Sequence, residues 1–365
     1  MKSNNYKISK TVSGLSAYVP GEQPQGGGWV KLNTNEFPYP PSPKVREAIL
    51  EELGGDGASL RLYPQPLSDR LRKAVAEYYG VEPQNALAGN GSDDILNLLM
   101  RAFGDENLKI AAMNPSYSLY PVLAKMQGAE LLEFNFNGDY TLPLDAIFNS
   151  GANVFILTNP NAPLGLEFDE AVLEKIAQNF NGLFVIDEAY APFSGYTAAK
   201  LALKYDNILV VCTSSKGWGL AGMRIGWAIA NEKIIEVLDR VRDSYNLDRL
   251  AQVAGIAALE DVAYYKKFCR KVVETREDFE KFLSDNGWDY VKSRSNFVFV
   301  RPRKAGLSPA EAAADFFEYL KNQKILVRFW KNDSKISDGV RVTIGTPDEM
   351  EKFKESALKW KELQK

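Results

Sequence analysis

Along the chain, short continuous apolar runs alternate with segments whose apolar residues recur every three or four positions. Val154-Phe155-Ile156-Leu157, Leu183-Phe184-Val185-Ile186 and residues 208–212 carry no polar alternation, the pattern of strands covered on both faces in a parallel sheet. Between such runs the spacing is helical. Ser42-Pro43 opens a helix with Val45, Ile49 and Leu53 on one face, and Leu71, Val75 and Tyr78 share a face before Gly80 stops the next helix. The alternation ends near Ile229. Beyond it come charged amphipathic helices over 232–242 and 264–283, then residues 296–300 and 340–344, whose alternation predicts half-exposed strands.

This order predicts an α/β chain: a large domain at 35–250 with a mostly parallel, doubly wound sheet flanked by helices, and a smaller α+β domain at 251–365. Residues 1–34 are expected to fold back onto the small domain and the active site. Residues 21–28, with Gly26-Gly27-Gly28, read as a flexible connection able to move over that site.

Composition narrows the class. With 365 residues, 45% hydrophobic and 25% charged, the chain can build a large core and a second domain. A net charge of -3 argues against nucleic acid as a partner. The only cysteines, Cys212 and Cys269, give no disulfide framework, so a reducing compartment is expected. No basic leader followed by an apolar segment opens the sequence, and no run of about 18 apolar residues occurs, so the expectation is a cytoplasmic protein without a membrane partner. There is no histidine at all. That removes Ser-His-Asp and Cys-His mechanisms and any histidine-ligated metal, and no metal site is expected.

The chemistry concentrates at the ends of the apolar runs. Lys216 follows 208–212, lies between hydroxyls and glycines, and has a second cation, Arg224, eight positions later. A lysine desolvated and near another cation has a lowered pKa, so its amine can attack a carbonyl and form a Schiff base. Pyridoxal phosphate is the obvious carbonyl, and it demands a carboxylate for its pyridine nitrogen, donors for its phenolic oxygen and a phosphate cradle. Asp187 ends the run 183–186, at the sheet edge where α/β proteins bind ligands, with Tyr190 three residues on; Asn159 follows the run 154–157. Gly89-Asn90-Gly91-Ser92-Asp93-Asp94 is a turn opening a helix, whose free amides suit phosphate. The backbone of Asp93 and Asp94, rather than their carboxylates, is expected to face the ligand.

With these residues in place, the chain resembles the fold-type I pyridoxal-phosphate enzymes, and within them the histidinol-phosphate aminotransferase family. The likeness runs nearly end to end, through Leu32-Asn33-Thr34-Asn35-Glu36, Arg61-Leu62-Tyr63-Pro64, Asn159-Pro160-Asn161, Asp187-Glu188-Ala189-Tyr190, Ser215-Lys216 and Arg341-Val342-Thr343. The resemblance implies that Lys216 bonds the cofactor, Asp187 pairs with its pyridine nitrogen, and Asn159 and Tyr190 reach its phenolic oxygen. It implies that Gly91, Ser92, Asp93, Ser215 and Arg224 hold the phosphate, with Thr213 as an extra contact, and that Tyr117 stacks on the ring. It also implies a homodimer in which Tyr63 crosses to the neighbouring subunit's phosphate. Arg341, assisted by Arg328, would receive an anionic end of the substrate, with Tyr18 and Asn35 closing the site.

The implied reaction is transamination between histidinol phosphate and 2-oxoglutarate. An aromatic or broad-specificity aminotransferase, a threonine-phosphate decarboxylase or a non-catalytic cofactor-binding module would use the same cofactor residues. Three departures bear on the pocket: Ala162 and Leu164 stand where polar residues are common, Gly217-Trp218 follows the lysine where a small residue and Phe are usual, and Asp94 replaces Glu.

Overall fold

The computed structural model describes residues 7–16 and 21–363; Tyr18 lies outside them. Two sheets organise the described residues. The larger is built from β2 (Ala86–Gly89), β3 (Lys109–Asn114), β4 (Glu130–Asn135), β5 (Val154–Thr158), β6 (Leu183–Asp187), β7 (Ile208–Thr213) and β8 (Gly226–Ala230), in the order β2-β8-β7-β6-β5-β3-β4. All pairings among β3 to β7 are parallel, and β8 runs antiparallel to both β7 and β2. This is the mostly parallel α/β sheet that the unbroken apolar runs predict.

The reason is visible in the packing. In β5 and β6, Phe155, Leu157, Phe184 and Ile186 enter one core, while Val154, Ile156 and Val185 enter another. Successive side chains point to opposite faces, and helices cover both faces, so every position of these strands has to be apolar. Each of the three runs gains one polar residue at its C-terminal end: Thr158, Asp187 and Thr213. Those last residues sit at the carboxyl edge of the sheet, where the site forms.

The smaller sheet is β1 (Val30–Leu32), β9 (Asp289–Val291), β10 (Phe297–Arg301), β11 (Ile325–Phe329) and β12 (Val340–Thr343), in the order β1-β11-β12-β10-β9. β1 pairs in parallel with β11, which ties the N-terminal segment to the C-terminal part of the chain. Residues 21–28 are anchored near their start, where Glu22 pairs with Lys321 at 2.8 Å and its carbonyl accepts from Asn33 at 2.7 Å.

Two strands differ from their reading of half exposure: β12 keeps only Arg341 partly exposed, and β10 departs further. β10 is buried over Phe297–Val300 rather than half exposed. Val298 and Val300 face the main core, while Phe297 packs with Ala162 and Tyr190, and Phe299 with Leu164, Val291 and Ile336. The apolar departures Ala162 and Leu164 are therefore the cover of the second face of β10.

The helices follow their predicted faces closely. Pro43–Leu53 is capped by Ser42, and Asp69–Tyr79 ends at Gly80, which has φ 69°. The helix Arg249–Leu259 runs unbroken across residue 250 and packs on both of these helices. A division at 250/251 would cut it, so we propose that the small domain begins after it, near Glu260-Asp261. No helix among the described residues is long and apolar enough to cross a membrane.

Candidate active site

Lys216 sits in the short helix Ser214–Gly217, which begins where β7 ends; Thr213 caps it, its hydroxyl accepting from the Ser215 amide at 3.2 Å. The amine donates to the Thr34 carbonyl at 3.2 Å. What surface Lys216 keeps faces two adjoining cavities of about 200 Å³ each, which share Thr34, Tyr117, Ala162, Tyr190 and Lys216 in their walls. Burial, then the nearby Arg341 charge, brings the amine down to about 8; Glu36 and Asp93 pull the other way, and Arg224 adds to the lowering. The second cation that matters most is thus Arg341 rather than Arg224.

The first cavity holds the sheet-edge residues. Asp187 is buried and accepts from the Tyr120 hydroxyl at 2.7 Å and the Ala189 amide at 3.1 Å. Burial raises its carboxyl to about 6 against the pull of those two hydrogen bonds. Thr158, directly opposite Asp187 in the sheet register, meets the same Tyr120 hydroxyl at 2.7 Å. Tyr190 turns its hydroxyl to Asn35 Nδ2 at 2.9 Å. Tyr117 lines both cavities and donates to Asp93 at 3.0 Å.

At one end of this cavity lies the start of the helix Ser92–Phe103, capped by Gly91 at φ 87°. Its first amides have no intrahelical acceptor and so face outward as donors. Arg224 approaches from the other side, with Nη1 3.5 Å from Ser215 Oγ, and Thr213 Oγ1 donates to the same oxygen at 3.0 Å. Two glycines allow this convergence. A Cβ on Gly91 would lie 2.7 Å from Arg224 Nη2, and one on Gly226 would lie 2.5 Å from the Gly91 carbonyl carbon and the Ser92 nitrogen. The Asp93 carboxylate does not turn away as expected: it faces the cavity and pairs with Arg224 at 3.4 Å, because that guanidinium is a cation within its reach. Asp94 does turn away, accepting from the Asn90 amide at 2.9 Å and so bracing the turn.

The second cavity carries Arg328, Arg341, Asn35 and Trp330. Arg328 and Arg341 stand directly opposite each other on β11 and β12. Like charges in that position repel, and the arrangement is useful where an anion is to be gripped. Both guanidinium groups lie over the Trp330 ring, at 5.3 and 5.2 Å, and Arg341 also lies 5.1 Å from the Phe297 ring and donates to the Asn33 carbonyl at 3.0 Å. Asn35 is the joint between the sheets: at φ 56° it binds Thr343 through its amide and its side-chain oxygen and accepts from Asn296 at its carbonyl.

Two expected residues line neither cavity. Asn159 stands beside the first cavity with its side-chain oxygen and nitrogen on the Phe168 backbone, at 2.9 and 3.0 Å, which leaves one amide hydrogen for another acceptor. Tyr63 lies outside both walls, 77% exposed and stacked on Tyr245 at 4.4 Å. Tyr18 falls outside the described residues. The reading of the sequence missed Tyr120, Thr158, Glu36 and Trp330. Thr158 had a signal, as the first polar residue after its run, whereas Tyr120 and Trp330 gain meaning only when distant elements meet. Trp218, a departure after the lysine, does not touch either cavity; it stacks on Tyr265 at 3.6 Å behind them.

Comparison with known proteins agrees with this geometry. Residues 27–356 match the model of the family "Aminotransferase class I and II". The chain is 44% identical to histidinol-phosphate aminotransferase of Geotalea daltonii, over 95% of this chain and 97% of that one. It is 43% identical to the enzyme of the same name from Geobacter sulfurreducens, over 93% and 95%. Among solved structures, histidinol-phosphate aminotransferase from Sinorhizobium meliloti in complex with pyridoxal-5'-phosphate superposes with a TM-score of 0.80 at 24% identity, covering 89% of each chain. L-threonine-O-3-phosphate decarboxylase from Porphyromonas gingivalis superposes at 0.78 with 22% identity, covering 91% and 99%, so the fold by itself does not choose the reaction. Family match and sequence identity together decide it: the chain belongs to the class I and II aminotransferases and, within them, to the histidinol-phosphate aminotransferases.

Proposed function

We propose that this protein is a pyridoxal-phosphate-dependent transaminase that interconverts L-histidinol phosphate and 2-oxoglutarate with imidazole-acetol phosphate and L-glutamate, in histidine biosynthesis. The observation that carries this reading is the position of Lys216, in the shared wall of one cavity with a carboxylate and a phosphate cradle and another with two arginines.

The first cavity fits pyridoxal phosphate by the chemistry of its donors: a depressed lysine amine, a buried carboxylate, and a glycine-cleared helix start faced by Arg224. Once bound, the cofactor supplies an aldehyde carbon for the lysine and a ring that withdraws electrons from the substrate's α-carbon. Lys216 Nζ is the nucleophile and, when released, the base that takes the α-carbon proton. Asp187 holds negative charge where the ring nitrogen needs a proton, and Tyr120 and the Ala189 amide keep it oriented. Tyr190, and the remaining amide hydrogen of Asn159, serve the phenolic oxygen. Tyr117 supplies a ring face. The amides of Ser92 and Asp93, with Ser215, Thr213 and Arg224, hold the phosphate.

Arg328 and Arg341 grip the anionic end of the substrate, with Asn35 completing that lobe. Visible absorbance of the holoenzyme tests the reading: glutamate and histidinol phosphate, added separately, should each bleach the cofactor band. A response to glutamate or aromatic amino acids but not to histidinol phosphate would indicate an aromatic or broad-specificity aminotransferase; release of carbon dioxide would indicate a decarboxylase. Arg341→Leu should raise KM for histidinol phosphate by about 10²-fold or more, since a charge-assisted bidentate contact is lost. An unchanged KM would remove Arg341 from substrate recognition.

The reading includes a homodimer. Tyr63 is exposed beside Leu60 and Leu62, which are 54% and 53% exposed, and this apolar surface suits a second copy onto which Tyr63 reaches. Sedimentation should give a dimer, and Tyr63→Ala should weaken cofactor retention; a monomer with full activity would contradict both. Cytoplasmic action is part of the proposal, supported by two buried, free cysteines.

A further inference from the structure

Behind the lysine lies a larger cavity, of about 460 Å³, between the long helix Val262–Asp285 and the segment after β6. It is separate from the two lobes of the active site, meeting the first only at Thr213, which belongs to both walls. Its size is in the range that holds small molecules. Its walls join an aromatic part, to which Tyr78, Tyr79, Trp218, Trp227 and Tyr265 contribute, to a charged part that includes Glu188, Arg276 and Glu277.

One charged residue in this wall is hard to explain as structure. Arg276 is only 2% exposed. Its Nη1 donates to the carbonyls of Phe193 and Ser295, at 3.3 and 2.9 Å, and among the described residues Nε has no acceptor and Nη2 makes no hydrogen bond. Among the described residues no carboxylate pairs with it. Glu280, one turn along the same helix, acts on it through space but binds the Ser293 amide at 2.7 Å instead. Burial of a cation that lacks an anionic partner is costly, and burial lowers the proton affinity of this guanidinium. A buried guanidinium whose Nε and Nη2 have no acceptor among the described residues, at the wall of this cavity, is the half of a charge-assisted bond that the ligand completes.

We infer that this cavity is a second binding site, for a small carboxylate carried on a flat aromatic ring, with the carboxylate on Arg276 and the ring among the tryptophans and tyrosines. Of the cations in this wall, Lys266, Arg270 and Arg294 are exposed and Arg276 alone is buried, while the buried Glu188 carboxyl is already held by the Thr197 hydroxyl and the Ala198 amide, so a monoanion matches Arg276; offset or edge contacts with the aromatic walls would hold the ring. The site touches the catalytic loop from behind. Cys269 Sγ donates to the Gly217 carbonyl at 3.5 Å, next to Lys216, and a Cβ on Gly217 would meet Pro192 at 2.6 Å and Tyr265 at 2.9 Å.

The test uses benzoate as probe and benzamide as its uncharged counterpart, titrated into the holoenzyme while tryptophan fluorescence is followed, because Trp218 and Trp227 line the cavity. Benzoate should give a saturable change that benzamide reproduces at least about tenfold more weakly. The response should survive in Arg341→Leu, weaken at least about tenfold in Arg276→Met, and also weaken in Val273→Phe, which fills the cavity without changing the cation. Should Arg276→Met not fold, the comparison of the two probes with wild type, Arg341→Leu and Val273→Phe still decides. No saturable response at about 10 mM benzoate, equal binding of both probes, or loss of the response in Arg341→Leu would overturn the site.

Discussion

Lys216→Ala is expected to lower turnover by about four orders of magnitude, the upper end for losing a positioned proton-transfer group, because the same amine is also the nucleophile. The fold prepares that amine in two ways. Burial beside the sheet edge and the Arg341 charge bring it down to about 8, so a sizeable share is neutral near pH 7 to 8. The Thr34 carbonyl holds it at 3.2 Å, in the shared wall of the two cavities. Capture of pyridoxal phosphate by the apoenzyme should therefore speed up as pH rises through about 8, not near the ordinary lysine value of 10.5. In Arg341→Leu that rise should move to higher pH, since a charge that disfavours the protonated amine is removed. Stopped-flow absorbance follows both. Small primary amines should restore part of the lost turnover in Lys216→Ala by supplying a base from solution; a variant with near-native turnover, or one that amines do not help, would deny the lysine its role.

The sequence is readable where chemistry stands immediately beside a strand. Lys216, Asp187 and Asn159 each follow an unbroken apolar run, and a run covered on both faces has to end at a sheet edge, so these residues could be placed before any contact was known. Tyr120 is different. It lies in the helix Leu119–Gln127, and nothing in its neighbours indicates that its hydroxyl would sit 2.7 Å from both Asp187 and Thr158. Trp330 likewise becomes a site residue only when β11 and β12 set Arg328 and Arg341 on its ring. The same limit explains β10. Its alternation suggested a half-exposed strand, but Ala162 and Leu164, far away in sequence, supply the missing cover. The outward turn expected of Asp93 rested on repulsion from a phosphate alone; the contact with Arg224 is a tertiary fact.

Asp187→Ala should leave the cofactor bound while reducing kcat by about 10³-fold, roughly 4 kcal/mol of lost electrostatic stabilisation. Retention is expected because the phosphate cradle and Lys216 lie at other points of the cavity wall and do not use Asp187. The loss follows from charge. Burial holds the free carboxyl at about 6, and a cation beside it favours the ionised form, so with the protonated ring nitrogen in place Asp187 should stay negative at neutral pH and titrate below about 6. The wild-type pH profile should then fall on an acid limb below that value, while Asp187→Asn, which cannot gain or lose charge there, should be weak at every pH and lack the limb. Tyr120→Phe separates charge from position: it removes a hydrogen bond that lowers the Asp187 value, so the limb should shift towards neutral pH with a much smaller loss of kcat. Cofactor content measured by absorbance, with kcat across pH, distinguishes these outcomes. A kcat for Asp187→Ala within about tenfold of wild type, with the cofactor still bound, would mean that the ring nitrogen draws its proton from elsewhere and that the buried aspartate serves the fold alone.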